Sequence, residues 1–271
     1  MLDNMKKLLF FAALAAILPA TVSCSSGEPA KIGIVAHRGF WNCEEAGMTQ
    51  NSIASLKAAQ NNGFWGSEFD VQLTADEVPI VNHNNDINGL LIRDCTLAQL
   101  KEQTLPNGEH PSTLDEYLEQ GAKCPSTVLV FELKPQRDTL RDDILWAKSV
   151  ESLKAHGLYD PARVIFISFD LYLCEKIAAE APEFTNQYLR KGMEPEDLHA
   201  LGINGIDFIY GQFLADTTLA GRAHGLGMSV NVWTVDADST MVTMFGQGVD
   251  YLTTNEPLLA RDLLGGRELR L

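Results

Sequence analysis

The feature that most constrains the fold is a regular alternation of short apolar segments with longer amphipathic ones. Eight segments have the length and apolar content of buried strands; they are residues 32–37, 66–73, 127–134, 163–169, 186–189, 206–211, 228–235 and 251–254. Helical periodicity fills most of the intervals, as at residues 52–62, 138–156, 171–181 and 217–224. Eight strand–helix units predict an α/β fold, a parallel (β/α)8 TIM barrel. An open doubly wound sheet is the alternative, although no glycine-rich phosphate loop follows an early strand.

A further apolar segment, residues 78–83, follows the second predicted strand after only four residues, Thr74 to Glu77. A parallel crossover requires about a dozen residues or more, so this segment cannot be the next parallel strand. We predict instead a hairpin extension after the second strand. Such a return would bring His83 to about the level of Asp70.

Charged residues occupy alternate positions at the ends of two predicted strands, Glu68 with Asp70 and Glu132 with Lys134. Alternate residues of a strand share a face, so each pair points the same way. Three acids and a lysine that converge inside a sheet would be costly to bury unless they bind something. Oxygen ligands suit one hard divalent cation, Mg²⁺ or Ca²⁺, and Glu68, Asp70 and Glu132 are its candidate ligands. Solvated charges on an edge strand are the alternative interpretation.

The overall charge limits the classes of partner. The 271 residues carry a formal net charge of −15, whereas nucleic acid binding requires a basic surface. The same charge argues against electrostatic docking on anionic lipid. A substrate that contains phosphate is compatible with this balance, provided that a metal ion and a few basic residues offset the acidic field.

The N-terminus has the pattern of an export signal. Lys6 and Lys7 precede an apolar run over residues 8–18, which is too short to span a bilayer since about 20 residues are needed. Residues 20–24 resemble a lipoprotein processing site, with Thr21 where an aliphatic residue is usual. We therefore predict a signal peptide at 1–23, a tether at 24–31 anchored to lipid through Cys24, and a folded domain at 32–271. The predicted location is the cell envelope or periplasm, with plain secretory cleavage as the alternative.

Four cysteines remain beyond Cys24, namely Cys43, Cys95, Cys124 and Cys174. Their spacing matches no zinc pattern. Four cysteines allow three disulfide pairings, between which the sequence does not choose, and free thiols are the simplest expectation.

A series of motifs in the right order resembles the glycerophosphodiester phosphodiesterase family, within the broader group of phosphodiesterases that are similar to phosphatidylinositol-specific phospholipase C. The matching segments are residues 35–39, 68–76, 81–83, 132–134, 167–170, 232–235 and 248–257. The resemblance covers nearly the whole chain after the signal segment. It implies a metal-dependent enzyme, a phosphoric diester hydrolase that converts glycerophosphodiesters to glycerol 3-phosphate and an alcohol.

The resemblance also implies roles for individual residues. His37 and His83 are the expected general acid and base, because imidazole titrates near the working pH. Arg38 and Lys134 are expected to bind the substrate phosphate and to balance its charge. Trp233 would form a wall for the glycerol or alcohol group, or would simply belong to the core.

Three positions depart from the family pattern. Gln50 and Asn84 replace carboxylates, and Glu77 replaces a glycine in the hairpin turn. Loss of carboxylates near the histidines would alter the basicity or orientation of the imidazoles. Two alternative functions therefore stay open. One is a related phosphodiesterase for intact phospholipid or polymeric glycerophosphate, with Phe40 and Trp41 as an apolar rim. The other is a catalytically weakened lipoprotein that binds phosphodiesters.

Overall fold

The computed structural model describes residues 32–265. The predicted signal peptide at residues 1–23 and the tether at 24–31, with Cys24, lie outside the described residues. Among the described helices, none combines the length and apolar character required to cross a bilayer.

The described chain contains eleven strands and ten α-helices. The strands are β1 (Gly33–Ala36), β2 (Gly66–Leu73), β3 (Pro79–Val81), β4 (Asp86–Ile87), β5 (Leu90–Leu91), β6 (Val128–Leu133), β7 (Val164–Ser168), β8 (Thr185–Tyr188), β9 (Gly205–Ile209), β10 (Ser229–Trp233) and β11 (Tyr251–Thr254). The helices are α1 (Ile53–Asn61), α2 (Leu97–Lys101), α3 (Leu114–Gly121), α4 (Thr139–Ala155), α5 (Leu171–Glu180), α6 (Pro195–Ala200), α7 (Tyr210–Ala215), α8 (Leu219–Gly225), α9 (Asp238–Gly246) and α10 (Pro257–Leu264).

Eight of the strands close into a parallel barrel, which confirms the predicted fold. Their order is β1-β11-β10-β9-β8-β7-β6-β2, and β1 also pairs with β2. Strand β6 illustrates why these segments form strands that are buried on both faces. Its Leu129, Phe131 and Leu133 lie in the outer core that includes α3 and α4, whereas Val130 lies in the barrel interior. This two-sided burial explains the nearly continuous apolar runs.

The predicted hairpin is also confirmed. Strand β3 pairs antiparallel with β2, and the backbone N–H of Asn82 donates to the Asp70 carbonyl over 3.0 Å. His83 therefore lies one residue beyond the level of Asp70. In the turn, Glu77 adopts a φ of +59°. This left-handed conformation costs a residue other than glycine on the order of 1 kcal/mol.

Some predicted boundaries are wrong by a few residues. The strand predicted at 206–211 ends at Ile209, because Tyr210 begins α7. The helix predicted at 138–156 is observed at Thr139–Ala155, and the Asp138 side chain caps it by accepting from the Leu140 N–H over 3.0 Å. The four cysteines within the described chain are free thiols, as expected.

Candidate active site

The three acidic residues converge inside the barrel. Glu68 and Asp70 come from β2 and Glu132 from β6, and the parallel register places Asp70 directly beside Glu132. One oxygen atom from each carboxylate lies within 4.8 Å of the others, and all three residues are buried. Active sites of parallel barrels lie at the carboxyl ends of the strands, which is where this cluster is found.

Burial and mutual repulsion shift the pKa values of these carboxyl groups in different directions. Desolvation, followed by the charges of Asp70 and Glu132, raises the pKa of Glu68 well above its ordinary value. Desolvation and the neighbouring Asp70 raise the pKa of Glu132 to about 8. Although burial opposes the change, Lys134 and then His83 lower the pKa of Asp70.

The charge and the carboxylate oxygens of this cluster fit a hard divalent cation. The Lys134 Nζ lies 3.1 Å from Asp70 Oδ1 and 3.0 Å from Glu132 Oε1. These two buried oxygens face the Lys134 ammonium, and each carboxylate has further lone pairs that the ammonium does not use. Carboxylate oxygens with unused lone pairs are the ligands that Mg²⁺ and Ca²⁺ prefer. Glu68, Asp70 and Glu132 could therefore hold a metal ion.

Two loop residues orient the acidic cluster. The Asn51 Nδ2 donates to Asp70 Oδ2 over 2.8 Å, and the Asp70 N–H donates to Asn51 Oδ1 over 3.1 Å. The backbone N–H of Arg38 donates to Glu68 Oε2 over 2.7 Å. Both loop residues are left-handed, with φ of +51° at Asn51 and +57° at Arg38. Strain of this kind persists where the surrounding structure enforces it, which is frequently at functional sites.

His37 follows β1 and is oriented by the end of β11. The Asn255 Nδ2 donates to Asp236 Oδ2 over 2.8 Å, so the Asn255 Oδ1 points away from Asp236. That oxygen accepts from Trp41 Nε1 over 3.0 Å and lies 2.9 Å from His37 Nδ1. Because this oxygen can only accept, the proton of a neutral His37 belongs on Nδ1. The other nitrogen, Nε2, then has its lone pair free and lies 4.0 Å from Glu68 Oε2.

His83 lies just after β3 on a loop held by amide groups. The Gln72 Nε2 donates to the carbonyl oxygens of Asn82 over 2.7 Å and of Asn84 over 2.6 Å. The side-chain oxygen of Asn84 lies 3.1 Å from His83 Nδ1. Both histidines therefore have a neutral amide beside Nδ1, which is Asn255 for His37 and Asn84 for His83.

These surroundings keep both imidazoles neutral near pH 7. Burial, then the Arg38 guanidinium, lowers the pKa of His37 to about 4. Burial also lowers the pKa of His83, and Lys134 and Arg38 add to the effect although Asp70 opposes it. A neutral histidine can accept a proton directly, whereas general-acid work requires it to acquire one first.

Replacing Asn84 by aspartate should raise the pKa of His83, because an adjacent negative charge stabilises the imidazolium. The measurement is kcat/KM against pH. If His83 is the base, the acidic limb of the profile moves to higher pH, and if it is the acid, the alkaline limb moves. Asn88→Asp, an added charge in the turn between β4 and β5, is the control. A profile that Asn84→Asp leaves unchanged in both limbs would contradict a proton-transfer role for His83.

A pocket at the carboxyl end of the barrel brings most of the predicted site residues together. Its lining includes His37, Arg38, Glu68, His83, Glu132, Ile167, Phe169, Leu189, Asp207, Trp233, Thr234 and Thr253. Asp70 and Lys134 lie against Glu132 through the ion pairs described above. The Arg38 Nη1 donates to Gln50 Oε1 over 2.5 Å, so Gln50 occupies part of the guanidinium that was expected to bind phosphate.

Trp233 forms one wall of this pocket and is held in place from two sides. Its Nε1 donates to the Asp207 carbonyl over 2.9 Å. Its ring meets Phe169 edge-on, with ring centroids 5.5 Å apart. The indole is half-buried, so one part of it remains open to the pocket.

Three residues that contribute to the site were not singled out from the sequence, namely Asn51, Asn255 and Asp207. Asn51 and Asn255 lie in loops, and loop side chains have no periodic pattern that predicts their direction. Asp207 did carry a signal, because it alternates with Ile206 and Phe208 on a strand that is buried on both faces. An acid at such a position must face the barrel interior.

Comparison with known proteins agrees with this geometry. A family model described as the glycerophosphoryl diester phosphodiesterase family matches residues 37–259. A curated glycerophosphodiester phosphodiesterase of Caldanaerobacter subterraneus subsp. tengcongensis is 28% identical over 240 residues, which are 83% of this chain and 94% of the relative.

Solved structures give the same result. A glycerophosphodiester phosphodiesterase from Parabacteroides distasonis is 38% identical, with a TM-score of 0.84 over 89% of this chain and 99% of that one. An Oleispira antarctica phosphodiesterase, solved in complex with the product sn-glycerol-3-phosphate, is 26% identical with a TM-score of 0.75 over 86% of this chain and 97% of that one. The matched range, the shared barrel and the buried acidic cluster together show that this chain belongs to the glycerophosphoryl diester phosphodiesterase family.

Proposed function

We propose that this phosphoric diester hydrolase cleaves small glycerophosphodiesters to glycerol 3-phosphate and an alcohol, with one divalent cation and with His37 and His83 as acid and base. The observation that carries the proposal is the pocket in which two neutral imidazoles lie beside the buried carboxylates of Glu68 and Glu132. The product complex of the Oleispira antarctica relative supports glycerol 3-phosphate as the product.

Separate groups of residues would bind the cation and the phosphate. Glu68, Asp70 and Glu132 would hold the cation, Mg²⁺ or Ca²⁺. When bound, this ion supplies positive charge that polarises the phosphate oxygens. Arg38 and Lys134 would bind the same phosphate group and offset the charge that builds up on it.

The histidines would move two protons. As the new P–O bond forms between a glycerol hydroxyl of the substrate and its phosphorus, one neutral imidazole takes the proton of that hydroxyl. As the old P–O bond breaks, the other histidine, once it has taken up a proton from solvent, gives that proton to the departing alcohol oxygen. Water then opens the resulting cyclic phosphate to glycerol 3-phosphate. His37 and His83 share the pocket with Glu68, which supports a common role at one phosphate. The pH profile of Asn84→Asp assigns the two roles.

The two alternatives receive less support. Phe40 is buried and packs edge-on against Phe64, with ring centroids 5.3 Å apart. Trp41 is half-buried and hydrogen-bonded to Asn255. Phe40 therefore contributes no apolar rim that would favour an intact phospholipid as substrate, and the Trp41 indole N–H is engaged within the site. A binding protein would need no free lone pair on His37 Nε2, which the hydrogen bond of Nδ1 to Asn255 leaves available.

Release of glycerol 3-phosphate from glycerophosphocholine and glycerophosphoethanolamine tests the proposal. We expect the purified protein to release it with Mg²⁺ or Ca²⁺ and to lose activity with a chelator, because the acidic cluster alone brings no positive charge to the phosphate. Activity should return when the cation is restored. Binding of these diesters without release under any cation would instead support the binding-protein alternative.

We also propose that the protein is exported and anchored to the membrane by acylation of Cys24. The support is the sequence pattern of residues 1–24, in which two lysines precede an apolar run. Fractionation and palmitate labelling of cells that express the protein test this. Cys24→Ala should abolish the label and move the protein to a soluble fraction, and a label that persists would refute the anchor.

A further inference from the structure

One half of the barrel interior is polar. Four consecutive strands, β8 to β11, each place a polar side chain on the inner face, namely Gln187, Asp207, Asn231 and Thr253, and all four are at most 2% exposed. Most inner positions of the other strands carry apolar residues such as Val35, Val130 and Ile165. The acidic cluster lies on that side, at the ends of β2 and β6.

Three of these polar residues, Gln187, Asn231 and Thr253, are linked by hydrogen bonds. The Gln187 Nε2 donates to Ser229 Oγ over 3.0 Å, and the Asn231 Nδ2 lies 3.5 Å from Gln187 Oε1. The Thr253 Oγ1 donates to Asn231 Oδ1 over 3.2 Å. They form a chain of hydrogen bonds across the barrel, and their burial is thereby explained.

Asp207 is different, because its carboxyl group takes no part in this chain. The residue is 1% exposed, and its Oδ1 has no hydrogen-bond partner among residues 32–265. It lines the same pocket as His37, Glu132 and Trp233. A buried carboxyl group without a partner is costly, and at the wall of a binding pocket a ligand can supply the missing hydrogen bond.

Asp207 lies outside the group of residues that forms the candidate cation site. The group of metal-ligating atoms that lie within 4.8 Å of one another consists of Glu68, Asp70 and Glu132 and does not include it. Burial, and to a smaller extent the charge of Glu132, raises the pKa of Asp207 well above its ordinary value. In either protonation state a carboxyl oxygen accepts a hydrogen bond from a hydroxyl group, which is therefore a suitable partner.

The pocket has two unequal sides, which distinguishes the two halves of a phosphodiester. Beyond His83 the surface opens into a polar groove lined by residues that include Gln50, Asn82 and Asn84. An open groove accommodates an alcohol group of variable size. Asp207 and Trp233 lie on the opposite, barrel side, where the space is bounded by strands and suits a small group that does not vary. In a glycerophosphodiester, that group is the glycerol.

We propose that the Asp207 carboxyl group hydrogen-bonds the terminal hydroxyl of the substrate's glycerol and thereby selects glycerol over diols that lack this hydroxyl. The inference rests on the proposed function, since it assigns one substrate group within the same site. Trp233 takes part indirectly, because its Nε1 holds the Asp207 backbone while its ring bounds the space beside the carboxyl group.

The decisive experiment measures binding, so that it does not depend on turnover. Calorimetry compares glycerol 3-phosphate with propane-1,2-diol 1-phosphate, which has a methyl group in place of the terminal hydroxyl. Wild type should bind the glycerol compound about tenfold more tightly or better, and Asp207→Leu should bind both with similar affinity. Asp207→Asn, which can still hydrogen-bond, should keep part of the preference. Equal binding of both compounds by wild type, or an unchanged preference in Asp207→Leu, overturns the proposal.

Turnover and stability separate this inference from its alternatives. With the two corresponding diesters, Asp207→Leu should raise KM for the glycerol substrate and leave kcat largely unchanged. Equal loss on both substrates would mean a merely structural role and would refute the proposal. Removal of the unpaired carboxyl group should also raise the Tm of the ligand-free protein. If wild type binds glycerol 3-phosphate selectively but hydrolyses no glycerophosphodiester, the proposed function fails and the assignment of Asp207 stands.

Discussion

Replacing Glu132 by glutamine should lower kcat at least about a thousandfold, which corresponds to about 4 kcal/mol of transition-state stabilisation. Glutamine has the same shape but brings no negative charge to the cluster with Glu68 and Asp70. Affinity for a divalent cation should therefore fall, and the cation makes the largest contribution expected of this site. The measurement is release of glycerol 3-phosphate at several concentrations of Mg²⁺ and Ca²⁺.

A thermal readout separates metal binding from catalysis. Divalent cations should raise the Tm of wild type, because a ligand that binds only the folded state stabilises it. Glu132→Gln should lose most of this increase, whereas Glu151→Gln, at an exposed position on α4, should keep it. A cation-dependent increase in Tm that survives unchanged in Glu132→Gln would show that the acidic cluster is not the metal site.

Glu132→Gln should also change how the stability of the metal-free protein depends on pH. The pKa of Glu132 is raised to about 8 in the folded protein, above its ordinary value of 4.5. A raised carboxyl pKa means that the folded state holds the proton more tightly, so its contribution to stability is present below pH 4.5 and is lost as the pH rises through about 8. In chelator, wild type should therefore lose stability between these pH values, and Glu132→Gln should lose less.

Replacing His37 by alanine should lower kcat by about a hundredfold to ten-thousandfold, the usual contribution of a general acid or base. KM should change little, because the phosphate would still be bound by Arg38 and Lys134. The cation-dependent increase in Tm should persist, since the three carboxylates are untouched. Steady-state kinetics with glycerophosphoethanolamine give kcat and KM, and thermal unfolding at several cation concentrations gives the increase in Tm.

The control is His199→Ala, which removes an exposed imidazole on α6. It should keep wild-type kcat and KM. Circular dichroism verifies that His37→Ala is folded, which matters because His37 is linked to Asn255 and through it to Trp41 and Asp236. A folded His37→Ala with kcat near wild type would exclude His37 from proton transfer and favour a binding role for the pocket.

Most of the architecture follows from local patterns. Nearly continuous apolar composition indicates that each strand is buried on both faces. Eight strand–helix repeats are the number that closes a parallel barrel. The short connection from Thr74 to Glu77 was sufficient to predict the hairpin, because chain length alone excludes a parallel crossover. The end of β9 was less predictable, since Tyr210 and Gly211 continue the apolar composition although the chain already turns into α7.

The acidic cluster was also partly predictable from local residue spacing. Because alternate strand residues share a face, the sequence alone predicted that Glu68 and Asp70 point the same way on their strand. The same spacing predicted a shared direction for Glu132 and Lys134 on theirs. Their meeting depends on the register between β2 and β6, which sets Asp70 beside Glu132. That register is a property of the closed sheet, in which side-chain packing inside and outside the barrel admits one alignment.

The sequence by itself determined the barrel, the hairpin and the residues capable of metal and proton chemistry, because period, spacing and side-chain chemistry are local properties. Only the tertiary structure decided which amide orients the His37 imidazole. Asn255 lies 218 residues from His37, and a contact over that distance exists only when the barrel closes. The structure likewise decided that, within residues 32–265, Asp207 Oδ1 has no hydrogen-bond partner while Gln187 and Asn231 have theirs. Such contacts depend on atoms from several strands together.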